Sequence, residues 1–508
     1  MLSSLPAKQA VDSMEKQSTT DGPNAEGTTG NVDIGQVVEF NASPEEEKKV
    51  LRKLDLALLP LMGTCYMMQY IDKIALNQAT LFGFREDLGL HKAEYSWTAS
   101  IFFFGYLVWS WPSSYLAVRL PLAKYISACV LIWAGALMCQ AAVRNFGGIM
   151  ATRFFLGVGE AAAGPGFTLI VSMFYKRDEQ PSRQSAWFFG NCVGSLIGGV
   201  LAYAIGNIRV QAIRSWQLLF LFLGAITAVV ALVMLVLLPD TPQKTVFLNK
   251  HERKVAEYRI LKSKAGTDET GVFRWDQVWM AFRDPQTWLL LLYKFSTCLC
   301  NAAITSFSGL LIQGFGFSRF QSLLMQMPIG AAQIVFLCLT SSIASFVPRT
   351  RILMIILNCV TTMLGLILVW KLDESNAKGR LAGLALGSVS GVNVPLALSL
   401  ISSNVAGFTK RSVTSALLFI VYCVANIVSP QFFLESEEPR YGTGMAASVG
   451  GLAASVLFLI CLMGYYIWEN RRRDIEYGRL EDMDEVEVIA ESLSNKTDLE
   501  MRSFRYML

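Results

Sequence analysis

Five ionisable residues stand in otherwise apolar stretches of this 508-residue chain: Asp72, Lys73, Arg153, Glu160 and Lys294. An ionised group at the centre of a bilayer costs roughly 2.5–3.5 kcal/mol, so such groups persist where they pair or face a watery cavity. A carboxylate in a low-dielectric site is easier to protonate than one in water. We therefore interpret Asp72 and Glu160 as candidate proton-coupling residues. Lys73 and Arg153 are the candidates for binding a substrate anion.

The spacing of these residues supports a shared cavity. Arg153 and Glu160 are two helical turns apart, so they lie on one face of a helix. Asp72 and Lys73 are adjacent, about 100° apart on a helix, and both can face one wide cavity. Protonation of the carboxylates would free the cations for an anion. Alternatively, the four charges form two buried ion pairs that fix helix packing.

Nine residues, including Lys294, are possible cavity-lining positions, because they are polar side chains within apolar stretches. Each uncharged one can instead be a hydrogen-bonding contact between helices. The cation among them, Lys294, can instead extend from a helix end towards water. The nine are Tyr66, Tyr70, Asn191, Lys294, Asn301, Gln333, Asn393, Tyr422 and Asn426.

The elements that must position these residues are membrane helices. Hydrophobic residues make up 53% of the chain and charged residues only 17%, whereas a soluble chain carries about a quarter charged residues. Apolar stretches long enough to cross a bilayer recur along the chain. The twelve predicted spans are 57–80, 96–118, 124–142, 148–173, 186–206, 216–238, 286–310, 320–346, 352–370, 380–402, 413–432 and 445–468.

This pattern predicts an all-α membrane protein with twelve transmembrane helices in two pseudo-symmetric six-helix bundles. The basic loops favour a topology with both termini in the cytoplasm. The predicted divisions are a disordered cytoplasmic tail at 1–50, an N-terminal bundle at 51–238, a cytoplasmic central loop at 239–285, a C-terminal bundle at 286–468 and a cytoplasmic tail at 469–508.

Several classes of function are disfavoured by the sequence. Only two histidines occur, His91 and His251, and all ten cysteines fall in apolar runs, so we predict no metal site, no cofactor and no enzymatic activity. The chain contains no G-x-x-x-x-G-K-[ST] loop for ATP. Its net charge of +4 is spread along the chain, which argues against nucleic acid. The expected partners are a small organic anion, protons and the lipid bilayer, with the monomer as the functional unit.

Sequence motifs add a resemblance to a known family. The motifs are Tyr70-Ile-Asp-Lys-Ile-Ala-Leu-Asn77, Arg153-Phe-Phe-Leu-Gly-Val-Gly-Glu160 and the terminal Phe504-Arg-Tyr506. Together they resemble the anion:cation symporters of the major facilitator superfamily, particularly the fungal allantoate-permease branch, from about Leu51 to the C-terminus. The resemblance implies the major facilitator fold.

The same resemblance implies proton-driven uptake of organic anions, such as allantoate, nicotinate or a related carboxylate, across the plasma membrane. It assigns proton coupling and anion binding to the four charged residues of the first and fourth spans. Lys73 stands where characterised bacterial relatives carry arginine, which removes the two-pronged fork that binds a carboxylate. The alternatives are a proton-coupled exporter of an acidic metabolite and, less favoured, a non-transporting nutrient sensor.

Overall fold

The computed structural model describes most of the chain beyond the N-terminal tail. The described residues are 42–91, 93–176, 179–208, 213–264, 273–479, 483, 491 and 495–508. Most of the tail predicted at 1–50 lies outside them. Residues Pro44–Leu508 form one compact unit.

The first six membrane helices, α1 to α6, form the N-terminal bundle. Their bounds are α1 Pro44–Thr80, α2 Glu94–Arg119, α3 Leu122–Gln140, α4 Phe146–Glu160 continued by Ala163–Phe174, α5 Gln180–Gly206 and α6 Ser215–Leu237. A short helix, Phe84–Asp87, lies between α1 and α2. Within the bundle, α1 packs against α5 and α6, and α4 packs against α2 and α3.

The other six membrane helices, α7 to α12, form the C-terminal bundle, and several of them are interrupted. Their bounds are α7 Pro285–Cys298, Asn301–Thr305 and Ser308–Gly314; α8 Arg319–Leu324 and Met327–Phe346; α9 Arg351–Lys371; α10 Ala377–Leu386, Val389–Asn393 and Val394–Asn404; α11 Phe408–Val428 with Ser429–Phe432; and α12 Gly442–Tyr477. This architecture confirms the predicted twelve spans in two bundles.

Helix α1 is the least apolar of the spans. Among the described residues, eleven helices are long and apolar enough to cross a membrane by composition alone, and α1 is not one of them. Its 37 residues extend for about 55 Å, well beyond the roughly 30 Å hydrocarbon core. Polar residues such as Gln69, Asp72 and Lys73 lower its hydropathy. This helix also carries part of the candidate site described below.

Two helix ends differ from the predicted divisions. Helix α1 begins at Pro44, inside the segment assigned to the tail, and α12 continues to Tyr477, past the predicted end at 468. Both extensions are rich in charged residues, which hydropathy alone assigns to water. A helix can continue beyond the bilayer when its polar side chains find partners: Lys176 and Glu47 are 2.6 Å apart.

The described part of the central segment contains two α-helices, and each is bound to a different bundle. The first linker helix is Lys250–Lys264 and the second is Trp275–Arg283. Glu252 of the first accepts a 2.7 Å hydrogen bond from Lys53 of α1. Gln277 of the second accepts a 3.0 Å hydrogen bond from the backbone N–H of Thr409 in α11. The connection between the bundles is therefore bound at both of its ends.

Candidate substrate site

Helix α4 is interrupted immediately after Glu160, and this interruption positions a buried ion pair. The Glu160 side chain is inaccessible to solvent, and its Oε2 lies 3.4 Å from Nζ of Lys73 in α1. Gln69, one turn earlier in α1, donates a 3.5 Å hydrogen bond to the Glu160 carbonyl. Neither carboxylate oxygen of Glu160 accepts a hydrogen bond within the described part of the chain. The pair is therefore held mainly by charge.

Lys73 also contacts two aromatic rings of α2. Its Nζ lies 5.6 Å from the centre of the Phe102 ring and 5.7 Å from that of Tyr106. Its side chain keeps 20% of its surface exposed, whereas its carboxylate partner has none. Aromatic faces attract cations. Lys73 therefore interacts both with the Glu160 carboxylate and with the faces of two aromatic rings.

Arg153 lies two helical turns before Glu160 in α4, and its contacts differ from those of Lys73. Its Nε donates a 3.4 Å hydrogen bond to the carbonyl of Thr98 in α2, and its guanidinium lies 5.5 Å from the centre of the Phe102 ring. Within the described residues it has no carboxylate within ion-pair distance, and its Nη1 has no hydrogen-bond partner. Phe102 thus contacts both cations, a role that the sequence did not indicate.

Asp72 points away from its neighbour Lys73. Its Oδ2 accepts a 2.8 Å hydrogen bond from the Trp133 indole of α3 and a 3.1 Å bond from the Thr227 hydroxyl of α6. The carboxylate is fully buried. The sequence expectation that Asp72 and Lys73 face one cavity differs from this geometry. The 100° step between adjacent residues is enough to turn one side chain into the core of the bundle.

An aromatic bridge joins the two bundles beside the ion pair. We give this name to Phe103 and Tyr106 of α2 together with Phe419 and Tyr422 of α11. The Tyr106 and Phe419 rings stack with centres 5.2 Å apart, and Phe103 meets Tyr422 edge-on at 5.9 Å. On the far side, Nζ of Lys294 in α7 lies 5.2 Å from the centre of the Tyr422 ring. Lys294 has no carboxylate partner among the described residues.

Lys73 and Lys294 therefore stand at opposite ends of the bridge. The whole site contains three cations, Lys73, Arg153 and Lys294, and two carboxylates, Asp72 and Glu160. With all five groups ionised the site carries one net positive charge, and protonation of a carboxylate raises it to two. A site of this charge is suited to an anion.

Three of the other predicted cavity residues lie in the half of the site formed by the N-terminal bundle. Tyr66 packs its ring edge-on against Trp187 at 4.6 Å. Tyr70 is almost fully buried and lies next to Gln333 of α8. Asn191 of α5 is half-buried.

The remaining polar residues join helices within the C-terminal bundle. Asn301 donates a 2.5 Å hydrogen bond to Asn426, and Asn393 accepts a 2.7 Å bond from Asn358 of α9. Gln333 donates a 3.4 Å bond to the carbonyl of Ser388. All four of these predicted residues therefore contribute to helix packing, the alternative that the sequence left open. No group of three or more metal-binding side chains occurs among the described residues.

The two bundles are bonded together at one end of the molecule. Asn77 of α1 donates a 2.8 Å hydrogen bond to Ser308 of α7, and the Tyr95 hydroxyl donates a 2.6 Å bond to the Ser306 carbonyl. Arg85 forms a 2.8 Å ion pair with Glu435. Hundreds of residues separate these partners in the chain, so no local pattern could have indicated them. This end, opposite to the termini, is closed.

Two six-helix bundles, with Lys73 of one and Lys294 of the other at the ends of a shared aromatic bridge, are the architecture of a membrane transporter. The sequence profile described as Major Facilitator Superfamily matches residues 62–430, and the chain belongs to this family. It is a transporter and not an enzyme.

Curated fungal relatives resemble the chain over nearly its whole length. It is 35% identical over 492 residues to an uncharacterized transporter of Schizosaccharomyces pombe, covering 95% of this chain and 92% of the relative. It is 31% identical over 493 residues to the allantoate permease of Saccharomyces cerevisiae, covering 92% and 88%. These relatives agree with the branch that the sequence motifs indicate.

The fold also resembles that of solved transporters. A partially occluded inward-open structure of the xylose transporter XylE from E. coli matches with a TM-score of 0.61 at 13% identity, covering 80% of this chain and 96% of that one. At this identity the likeness concerns the fold alone.

Proposed function

We propose that this protein is a proton-coupled symporter that takes up a small organic anion. The observation that carries the proposal is the Lys73–Glu160 pair. A fully buried carboxylate, with no hydrogen bond to either oxygen among the described residues, faces a lysine that keeps partial exposure. Burial favours the neutral form of a carboxylate. Glu160 can therefore lose its negative charge while its neighbour stays charged.

The coupling step follows from this arrangement. When Glu160 accepts a proton, Lys73 loses its counter-charge and becomes free to bind the carboxylate of a substrate. When Glu160 releases the proton, it attracts Lys73 again and the substrate anion loses its partner. Proton and anion are thus bound together and released together. Asp72 is the second proposed proton site, and Arg153, which lies against Phe102, supplies a further positive charge to the site.

The substrate class follows from the second cation and the aromatic bridge. Lys294, which lacks a carboxylate partner among the described residues, is placed to bind an anionic group from the side of the C-terminal bundle. The rings between the two lysines suit a short molecule with flat groups. We propose a small organic carboxylate, such as allantoate, nicotinate or a related compound, whose flat ureide or pyridine groups would pack against the rings. One relative is named an allantoate permease, which agrees with this class. We also propose that the protein lies in the plasma membrane and functions as a monomer.

The test is uptake of labelled allantoate, nicotinate, ureidosuccinate and dipeptides by purified protein in proteoliposomes, with the outside acidic or with the gradient collapsed. One pH unit supplies about 1.4 kcal/mol per proton, or about tenfold accumulation at one-to-one coupling. We expect such accumulation of at least one compound by the wild type. Glu160→Gln should abolish accumulation but retain exchange of internal for external substrate, because the neutral side chain mimics the protonated state.

Glu257→Gln, which removes a carboxylate from the first linker helix, is the matched control and should accumulate substrate normally. Accumulation that persists in Glu160→Gln would reject the coupling role of this residue. Efflux of an acidic compound driven by an acid-outside gradient, without uptake of any, would show an exporter instead.

A further inference from the structure

Residues 495–508, which we call the C-terminal segment, lie against the ends of five membrane helices, α7 and α9 to α12. Gln286 of α7 and Asn470 of α12 donate hydrogen bonds to the segment, as does Asn404 of α10. The backbone N–H of Arg351, the first residue of α9, donates a 3.3 Å bond to the carbonyl of Leu508. These helices all belong to the C-terminal bundle.

A buried charge cluster anchors the segment. Nζ of Lys410, in the first turn of α11, lies 2.6 Å from Oδ2 of Asp284 and 2.8 Å from Oδ1 of Asp498. All three side chains are fully buried. Asp498 belongs to the C-terminal segment and also accepts a 3.1 Å hydrogen bond from the backbone of Ala406. Removing one partner from such a cluster leaves an uncompensated buried charge, which is strongly destabilising.

Two asparagines bind the backbone of the segment at successive residues. Asn470 donates to the Tyr506 carbonyl at 2.9 Å and accepts from the Tyr506 N–H at 2.8 Å. Asn404 donates to the Met507 carbonyl at 2.8 Å and accepts from the Met507 N–H at 2.7 Å. Each asparagine thus satisfies both backbone groups of one residue, as a neighbouring β-strand would.

Side chains of α12 contact residues 501–506 of the segment. The Tyr506 ring stacks on Tyr466, with centres 4.8 Å apart and an angle of 4° between the planes. Nη1 of Arg473 donates to the carbonyls of Met501 and Phe504 at 3.3 and 3.1 Å. An ion pair, hydrogen bonds to the backbone and ring stacking therefore all act on the same short stretch of chain, as they do on a peptide in its binding site.

We propose that this end of the C-terminal bundle is a peptide-binding site and that the C-terminal segment is its ligand. The segment acts as a clasp: while it is bound, the ends of α7 and of α9 to α12 are held as one body, and its departure loosens them. The ligand class is a short peptide with a buried aspartate followed by an aromatic residue near its carboxyl end. The proposal is independent of the transported substrate.

The test uses the full-length protein with a specific protease site inserted between residues 485 and 488. Cutting leaves every contact of residues 495–508 in place but removes the covalent connection. We expect the cut segment to stay bound through gel filtration in detergent, as measured by mass spectrometry. Excess synthetic peptide of residues 495–508, labelled with heavy isotopes, should then replace it by exchange.

Matched peptides distinguish the proposed recognition from non-specific binding. The residues of the binding site itself stay wild type. A peptide carrying Asp498→Asn should compete at least about tenfold more weakly, because Lys410 loses a charged partner. A peptide carrying Leu499→Ala should compete as well as the natural peptide, since Leu499 is exposed and adjacent to the aspartate.

The clasp is tested by depleting the cut protein of its segment with excess Asp498→Asn peptide, whose weaker binding allows it to be dialysed away afterwards. The depleted protein should unfold at a lower temperature than the cut but undepleted protein, and added natural peptide should restore the midpoint. Immediate loss of the segment on cutting, equal competition by the Asp498→Asn peptide, or an unchanged unfolding midpoint after depletion would each overturn the proposal.

Discussion

Asp72 and Trp133 illustrate how a single indole can determine the environment of a buried charge. The Trp133 N–H is one of two side-chain donors to the Asp72 carboxylate. Trp133→Phe removes this donor and leaves a buried acceptor poorly satisfied, at a cost of about 1–3 kcal/mol. We expect a lower midpoint of thermal unfolding in detergent.

Trp187→Phe is the matched control for that substitution. Trp187 is equally buried in the same bundle, but its indole N–H has no hydrogen-bond partner among the described residues. The change should therefore have a smaller effect on the unfolding midpoint than Trp133→Phe. If both substitutions lowered the midpoint equally, the hydrogen bond to Asp72 would contribute nothing beyond ring packing.

Lys294 gives a second prediction at the scale of the residue, one that depends on the proposed function. Lys294→Met keeps the length of the side chain but removes its charge. We expect the KM for the transported anion to rise at least about tenfold, because a charge-assisted contact contributes roughly 1.5–3 kcal/mol. Lys294→Arg should restore most of the affinity. Uptake kinetics at fixed pH would measure both.

Lys371→Met is the control for the loss of a lysine. Lys371 ends α9 and lies 3.9 Å from the ring centre of its neighbour Trp370, away from the candidate site. Its replacement should leave the KM unchanged. A KM for Lys294→Met that equals the wild-type value would exclude Lys294 from anion binding.

At the scale of the element, the interruptions of the helices coincide with candidate site residues. Glu160 ends the first half of α4, Asn301 begins a short helix of α7, and Asn393 ends the 3-10 turn of α10. An interruption frees backbone groups that a continuous helix would satisfy internally, and they become available to side chains and ligands. The carbonyl of Glu160, bonded to Gln69, is one example.

The crossing of α5 and α8 gives a prediction about how the bundles meet. A Cβ on Gly330 of α8 would overlap the backbone of Ser195 and Leu196 in α5. Gly330→Val should therefore force the two bundles apart in the closed arrangement seen here, at a cost of about 1–3 kcal/mol. We expect a lower unfolding midpoint for this variant in detergent.

Gly464→Val in α12 is the matched control, because a Cβ on Gly464 meets no atom within 4 Å. This substitution should leave the midpoint close to that of the wild type. An unchanged midpoint for Gly330→Val would mean that the α5–α8 contact is looser than the structure shows.

At the scale of the whole molecule, twelve spans require both termini to lie on the same side of the membrane. The basic loops predict that this side is the cytoplasm. An epitope at the N-terminus should therefore react with antibody only after cells are permeabilised. An epitope inserted between Asp373 and Ser375, in the turn after α9, should react in intact cells. The reverse pattern would reject the predicted orientation.

The sequence by itself determined the number of spans, their division into two bundles and the charged residues worth examining. It could do so because the bilayer sets the length of each apolar helix, and because the cost of burying a charge makes Asp72, Lys73, Arg153 and Glu160 conspicuous. The family followed from motifs read in order along the chain. These features depend on local composition, which a single sequence displays.

Only the tertiary structure decided which side chains meet. It turned Asp72 towards Trp133 and paired Lys73 with Glu160, although Asp72 and Lys73 are adjacent in one helix. It also brought together Lys410 and Asp498, and Arg85 and Glu435, across long stretches of chain. The physical reason is that side-chain direction depends on helix rotation and on the packing of distant helices. Neither quantity is encoded in the spacing of neighbouring residues.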